Sequence, residues 1–403
     1  MQTNEPSAVN PAESVVVDVV SRPKNRRRLI FLLVFLLALL AVLGEEAARR
    51  AASVKTTGEE GAFAYETVGL SATITGLLDK NATEAVVPEK IGGRSVTKIA
   101  AAAFADCASL TKIELPQGIR EIGSNAFDGC SALRTITLPA SLETLRSAFD
   151  GCSALAEIAV APGNKNYRSV DGVLFSADGG TLLLYPTAKA AAEYAVPDGT
   201  EKIASSAFRD CASLTAITFP ASVRELGGET FYGCVALRTV ALPDAVETIP
   251  ASAFLGCSAL SEVKFPKQLK AIAPHAFIGC ESLTSVAFPD GLTLIGDDAF
   301  EDCVSLESVA FPSGLKVVEP GAFGGCVKLS SVVFRNGLKT IGDEAFSGCA
   351  SLTDVDIPAS VEEIGRRSFV GCASDLSLSG DAGSYAEEYA EKTGIPFAVY
   401  PEP

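Results

Sequence analysis

Residues 280–303 read CESLTSVAFPDGLTLIGDDAFEDC, and the order of side chains within them decides the fold. Val286 and Phe288 stand two apart, so on an extended backbone they share one face while Ala287 points to the other. Pro289 has no N–H to continue a ladder and ends the strand. Leu292, Ile295, Ala299 and Cys303 then recur three or four apart, as a short helical or irregular return requires, and small Ala299 leaves room for the Phe300 ring at a tight corner.

The same unit recurs on both sides. Every Cys of the chain sits in a Phe-x-x-Cys motif: Phe104/Cys107, Phe127/Cys130, Phe149/Cys152, Phe208/Cys211, Phe231/Cys234, Phe254/Cys257, Phe277/Cys280, Phe300/Cys303, Phe323/Cys326, Phe346/Cys349 and Phe369/Cys372. Successive Cys are 23, 22 and 59 residues apart and then 23 apart to the end. One such unit buries too few apolar side chains to offset the ordering of its own backbone, so units must stack and share strand hydrogen bonds. The expectation is a solenoid of about a dozen stacked short parallel strands, about 4.8 Å apart, with compact helical or irregular returns.

Stacking also assigns the cysteines. Eleven thiols at one repeat position predict a column of buried side chains, and parallel Cβ vectors on stacked turns fit disulfide geometry poorly. Occasional bridges stay open on this reading, whereas metal binding is not expected, because no turn offers two Cys ligands. The chain of 403 residues is 48% apolar, enough for a large core, and carries a net charge of −16, unsuited to a broad nucleic-acid surface. With one His and no Trp, the commonest general base and the strongest stacking platform are nearly or wholly missing. No enzyme, cofactor or small-molecule substrate is expected.

Units such as Cys303-Val-Ser-Leu-Glu-Ser-Val-Ala-Phe-Pro-Ser-Gly-Leu315 and Ile341-Gly-Asp-Glu-Ala-Phe-Ser-Gly-Cys349 resemble those of the BspA-like, or Treponema pallidum type, leucine-rich-repeat family. The resemblance covers residues 62–400. It implies a curved leucine-rich-repeat solenoid, displayed at a cell surface or secreted, that acts in adhesion to host proteins or to other cells. It implies no catalytic residue, since the family shares no active site.

Departures from the period set the expected boundaries. Residues 1–28 form a basic tail ending in Arg26, Arg27 and Arg28, which orients the apolar run within residues 29–44 with its basic end cytoplasmic. That run is read as a signal-peptide h-region or an uncleaved signal anchor, followed by a linker over 45–61. An N-terminal cap turn over 62–103 precedes the repeats of 104–372. The 59-residue interval holds an insert of about 161–192, read as a hairpin in which Asp178-Gly179-Gly180 joins Tyr167–Phe175 to Thr181–Tyr185. Residues 373–403 form a C-terminal cap, with a helix over Ser384–Thr393, Gly394 as its C-cap and a strand over Ile395–Tyr400.

No catalytic, cofactor or metal site emerges. His275 occupies a variable position that is Asn125, Ser252, Asp298 or Glu344 in other units, and reads as solvent-facing. Asp297, Asp298, Glu301 and Asp302 read as a solvated acidic face rather than a calcium site. Asn81-Ala82-Thr83 is a glycosylation sequon, relevant only in a secretory pathway that reads it. The outward strand position seven residues beyond each Cys yields the candidate partner-contact strip: Ala241, Lys264, Ala287, Ala310 and Val333. The functional expectation is a cell-surface or secreted protein mediating adhesion or protein binding, with a protein or cell-surface ligand as partner, and held by the N-terminal run if that is not removed. The alternative is a structural or assembly spacer of the cell envelope.

Overall fold

The chain divides into two units, Met1–Lys55 and Thr56–Pro403. The computed structural model describes residues 55–400, together with residues 34 and 42. The expected basic tail of 1–28, apolar segment of 29–44 and most of the 45–61 linker lie outside the described residues. Among the described residues, no helix is long and apolar enough to cross a membrane.

The second unit is a parallel-strand solenoid of about 14 turns with almost no helix. Each regular turn contributes two short strands rather than the single strand expected. The first follows Cys by five residues, as in Thr239–Ala241 and Glu262–Lys264, which pair in parallel with a 23-residue register step, Val240 against Val263. The second is two residues long, as in Thr248–Ile249, Ala271–Ile272 and Leu294–Ile295, also paired in parallel. The return is thus irregular rather than helical, and a tight approach of neighbouring turns explains it. A Cβ added at Gly296, just beyond Leu294–Ile295, would lie 2.6 Å from the Pro274 backbone nitrogen one turn earlier. A helix is too thick to run there.

A third ladder runs through the corners. The Phe N–H of one turn donates to the carbonyl of the residue before Phe in the next: Phe277 to Ala299 and Phe300 to Ala322, at 2.8 and 2.9 Å. Backbone groups of the loops are thereby satisfied by stacking alone.

Inside, the Phe side chains form a column, with Phe254, Phe277 and Phe300 centroids 5.0 and 4.9 Å apart and their planes within 6°. A second column of Phe265, Phe288, Phe311 and Phe334 meets it edge-on, as Phe265 does Phe277 at 80°. All eleven Cys are free thiols, buried except for partly buried Cys372. They do more than fill space. Each thiol from Cys234 onward donates to the Phe carbonyl of the preceding turn at 3.0–3.3 Å.

The ends depart from this plan as solenoid ends must. Three antiparallel strands, Thr56–Glu60, Phe63–Val68 and Ser71–Leu77, cap the N-terminal side, the third pairing in parallel with Arg94–Ile99. The strand Thr56–Glu60 falls inside the expected linker, so the cap begins at Thr56 rather than at 62. Glu59 and Glu60 hid it from a hydrophobic reading, yet charges on an outermost strand are what protect an open edge. At the other end lies helix α1, Tyr385–Thr393, with the Ser384 hydroxyl accepting from the Glu387 N–H at 3.4 Å and Gly394 at φ 74°. The strand Phe397–Val399 then pairs in parallel with Ser377–Gly380.

The insert is a three-stranded meander rather than one hairpin. Tyr167–Val170 and Val173–Ser176 pair across Asp171 and Gly172, whose φ values of 50° and 78° suit a tight two-residue turn. Val173–Ser176 pairs in turn with Thr181–Leu184, which rejoins the second ladder in parallel with Lys202–Ile203. Tyr185 then takes the Phe position of its turn, its ring 5.0 Å from Phe208.

Candidate functional site

The first ladder presents an alternating strip. In Thr239–Ala241, Glu262–Lys264, Ser308–Ala310 and Ser331–Val333 the central Val is buried and both flanking residues are exposed. Strand alternation therefore turns Ala241, Lys264, Ala310 and Val333 to solvent, and Ala287, outside any strand, is exposed as well. Ala241 is the register partner of Lys264, Ala310 of Val333, and Val333 of Asp356. Ala287 stands apart: only Ser285 bridges to Ser308, and residues 285–287 form no strand. The ladder is open between Lys264 and Ser308, so the five positions form two paired groups with Ala287 between.

The strip's chemistry is sparse at its centre and charged at its margins. Small side chains leave the backbone close to solvent across Ala287, Ala310 and their Ser neighbours. Lys112 and Glu114 pair at 2.6 Å toward the N-terminal end, and Asp354 and Asp356 stand toward the C-terminal end. The burial of such a face by a partner costs little desolvation at its centre.

The other sequence-singled residues gather no chemistry. His275 has a left-handed backbone at φ 61°, a conformation shared by Asn125, Ser252, Asp298 and Glu344. Its Nε2 is 3.5 Å from Asp298 Oδ2 and its side chain is about half exposed, with no nucleophile in the pair. Burial, then the neighbouring Asp298 and Asp302, push the Glu301 carboxyl above its ordinary range. Among the described residues, no cluster of His, Cys, Asp and Glu is placed to hold a metal ion. Asn81 is exposed, its N–H held by Asp79 Oδ1 at 2.9 Å. Burial pushes the thiols far from ionisation, Cys130 and Cys234 to about 12, which removes them as nucleophiles.

Two features lay beyond the sequence reading. Charges on the returns pair from turn to turn: Lys98 with Glu121, Arg120 with Glu143, Lys270 with Glu247, and Lys339 with Glu362. Their 23-residue spacing was visible in the sequence, but only the second ladder sets them side by side. The other is a cavity of about 340 Å³ beside the insert, between the Leu145–Asp150 segment and Leu183, Leu184 and Ala204–Ser206. Its signal was the 22-residue interval from Cys130 to Cys152, which drops one residue from the return just before the insert.

The comparisons agree with this geometry. The BspA type leucine rich repeat region matches residues 83–176, 188–303 and 260–375, more than half of the chain. A leucine-rich repeat protein from Bacteroides ovatus is 24% identical, covering 85% of this chain and 100% of its own, with a TM-score of 0.55. A leucine rich cell surface protein from Faecalibacterium prausnitzii is 26% identical over 83% of this chain and 97% of its own, also with a TM-score of 0.55. A leucine-rich repeat protein from Eubacterium ventriosum is 23% identical over 79% of this chain and 95% of its own, with a TM-score of 0.50. No curated protein matches the sequence.

Proposed function

The chain belongs to the BspA-type leucine-rich-repeat family, and from that premise we propose that it is a non-catalytic, surface-displayed scaffold that binds a protein partner in adhesion. The observation that carries the reading is the outward face of the first ladder. It runs along successive turns as two paired groups, Ala241 with Lys264 and Ala310 with Val333, with exposed Ala287 between them. A preformed sheet face loses little conformational entropy on binding, which favours recognition of a broad, complementary protein surface. Display at the surface is supported by the Faecalibacterium prausnitzii cell surface protein of the same fold.

The test is retention. The protein is displayed at high density on beads and offered extracellular-matrix proteins and intact neighbouring cells. Retention is expected, and Ala287→Arg with Ala310→Glu is expected to lower it about tenfold or more by placing unpaired charge in the contact. Absence of any retention, or retention indifferent to both substitutions, overturns the assignment to this face.

A further inference from the structure

The cavity beside the insert is the place where the solenoid lacks a rung. In the turns on either side, the corner ladder is complete: Phe127 N–H donates to Ala148 O and Tyr185 N–H to Ala207 O, each at 2.8 Å. Ser147, Ala148 and Asp150 carbonyls all accept from the turn before, from Asn125, Phe127 and Gly129. On the forward side, the pattern stops. Among the described residues, no acceptor stands opposite the N–H groups of Ser147, Phe149 and Gly151, the three that continue the row.

The aromatic column breaks at the same level. Phe104, Phe127 and Phe149 stack at 5.2 and 5.5 Å, and Tyr185, Phe208 and Phe231 at 5.0 and 5.2 Å, yet Phe149 and Tyr185 make no ring contact. The second ladder is open here too. Thr144–Leu145 ends its sheet, and the Tyr167 hydroxyl accepts the Leu145 N–H at 2.8 Å where a strand carbonyl would otherwise stand. The open N–H row lies against walls of Leu145, Phe149, Leu174, Leu183 and Leu184, with Ser205 and Ser206 at the rim.

The final turn offers the contrast. There the corresponding Phe369 also has no following turn, but the Tyr389 ring of α1 packs edge-on against the Phe369 ring, centroids 6.1 Å apart. The chain covers its terminal corner with α1 and leaves the internal one open.

We propose that this cavity seats one peptide segment of a protein partner, folded as the missing corner. Its main-chain carbonyls take the N–H groups of Ser147 and Phe149, and one apolar side chain fills the space against Phe149, Leu183 and Leu184. A peptide able to take the corner conformation of the repeat is the occupant, because the rung it replaces is a turn with left-handed backbone, as at Glu344 (φ 57°) and Gly348 (φ 76°), and such a peptide supplies carbonyls at the rung spacing together with a side chain for the apolar walls. A cavity of this size is large enough for a single aromatic residue. The proposal does not depend on the first-ladder strip, which lies on different residues.

The test uses the full chain and a synthetic peptide that copies this protein's own rung, acetyl-GDEAFSGS-amide, after residues 342–349 with Ser in place of Cys349. In the free protein the Phe149 amide is expected to exchange with deuterium about 100-fold faster than that of Phe127. Peptide at about 1 mM is expected to slow exchange at Ser147 and Phe149 about tenfold. Replacing the peptide's Phe by Ala, or filling the cavity by Leu183→Trp, is expected to abolish that protection. The peptide variant keeps the test decisive if Leu183→Trp does not fold. Three results would each overturn the proposal: a Phe149 amide already as protected as Phe127, no protection with the peptide present, or equal protection by N-acetylphenylalanine amide, which lacks the flanking residues of the corner.

Discussion

Cys280 shows why one residue type recurs in every turn. Its thiol is buried among Phe and Leu side chains and donates at 3.3 Å to the Phe254 carbonyl, which also accepts the Cys257 N–H at 3.1 Å, so Ala or Val would remove the second of its two hydrogen bonds. Cys280→Ala loses that donor and opens a small void, and is expected to cost about 1–3 kcal/mol in urea unfolding. Tyr185 is the converse case. Its hydroxyl is buried with no hydrogen-bond partner among the described residues, and burial pushes the phenol up to about 12. Tyr185→Phe restores the residue used by the other turns and is expected to raise stability by about 1 kcal/mol in the same measurement.

The thiols also set an alkaline limit. Burial raises Cys372 from 9.0 to about 11, and Cys130 and Cys234 to about 12, so the folded state holds these protons more tightly than the unfolded chain does. Stability is therefore unaffected by these groups below pH 9 and falls as pH rises above it, through 11 for Cys372 and 12 for the others. Unfolding curves between about pH 8 and 11 check the sign. In the native protein at neutral pH, a thiol-alkylating reagent is expected to modify Cys372 first, the one cysteine that is not fully buried.

At the scale of the element, close approach dominates. The second ladder brings one turn's backbone onto the next at Gly296, where an added Cβ would lie within 2.6 Å of backbone that cannot swing aside. Gly296→Ala is expected to cost about 1–3 kcal/mol, whereas Lys270→Ala, which removes only the exposed pair with Glu247, is expected to cost less than about 1 kcal/mol. Thermal unfolding of the two variants side by side separates packing from surface charge. The first strand was legible from the alternation of Val286, Ala287 and Phe288, which holds in units such as Thr239–Ala241 and Ser308–Ala310, although in residues 285–288 themselves only Ser285 bridges. The second was not, because two residues such as Leu294–Ile295 are too few for any period, and their pairing exists only between turns.

Across the whole second unit, the insert acts as a partition. Buried residues fall into two cores, one from Phe63 to Leu174 and the other from Val173 to Ala390. The strand Val173–Ser176 serves both, since Val173 and Phe175 belong to the second core and Leu174, on the opposite face, to the first. Solenoids fold through nearest-neighbour contacts, so a break in ladders and aromatic column at one level divides the array into two cooperative blocks. Hydrogen exchange in increasing urea is expected to show two protection groups meeting near residues 173–175. Phe175→Ala is expected to destabilise the second block by about 3–5 kcal/mol and to leave amides before residue 150 nearly unchanged. A single transition shared by all amides would dismiss the partition.

The repeat, its 23-residue step, the inward Phe, Leu, Ile and Cys columns and the helix-and-strand closure were all determined by the sequence, because each follows from local spacing and from the need of small units to share a core. The outward placement of Ala241, Lys264, Ala310 and Val333 follows from strand alternation in the same way. What the tertiary structure alone decided are contacts between turns: the second and corner ladders, the thiol-to-carbonyl bonds, the hidden N-terminal strand and the unfilled rung beside Phe149. Those depend on how far apart two stacked backbones lie, a distance that no single turn encodes.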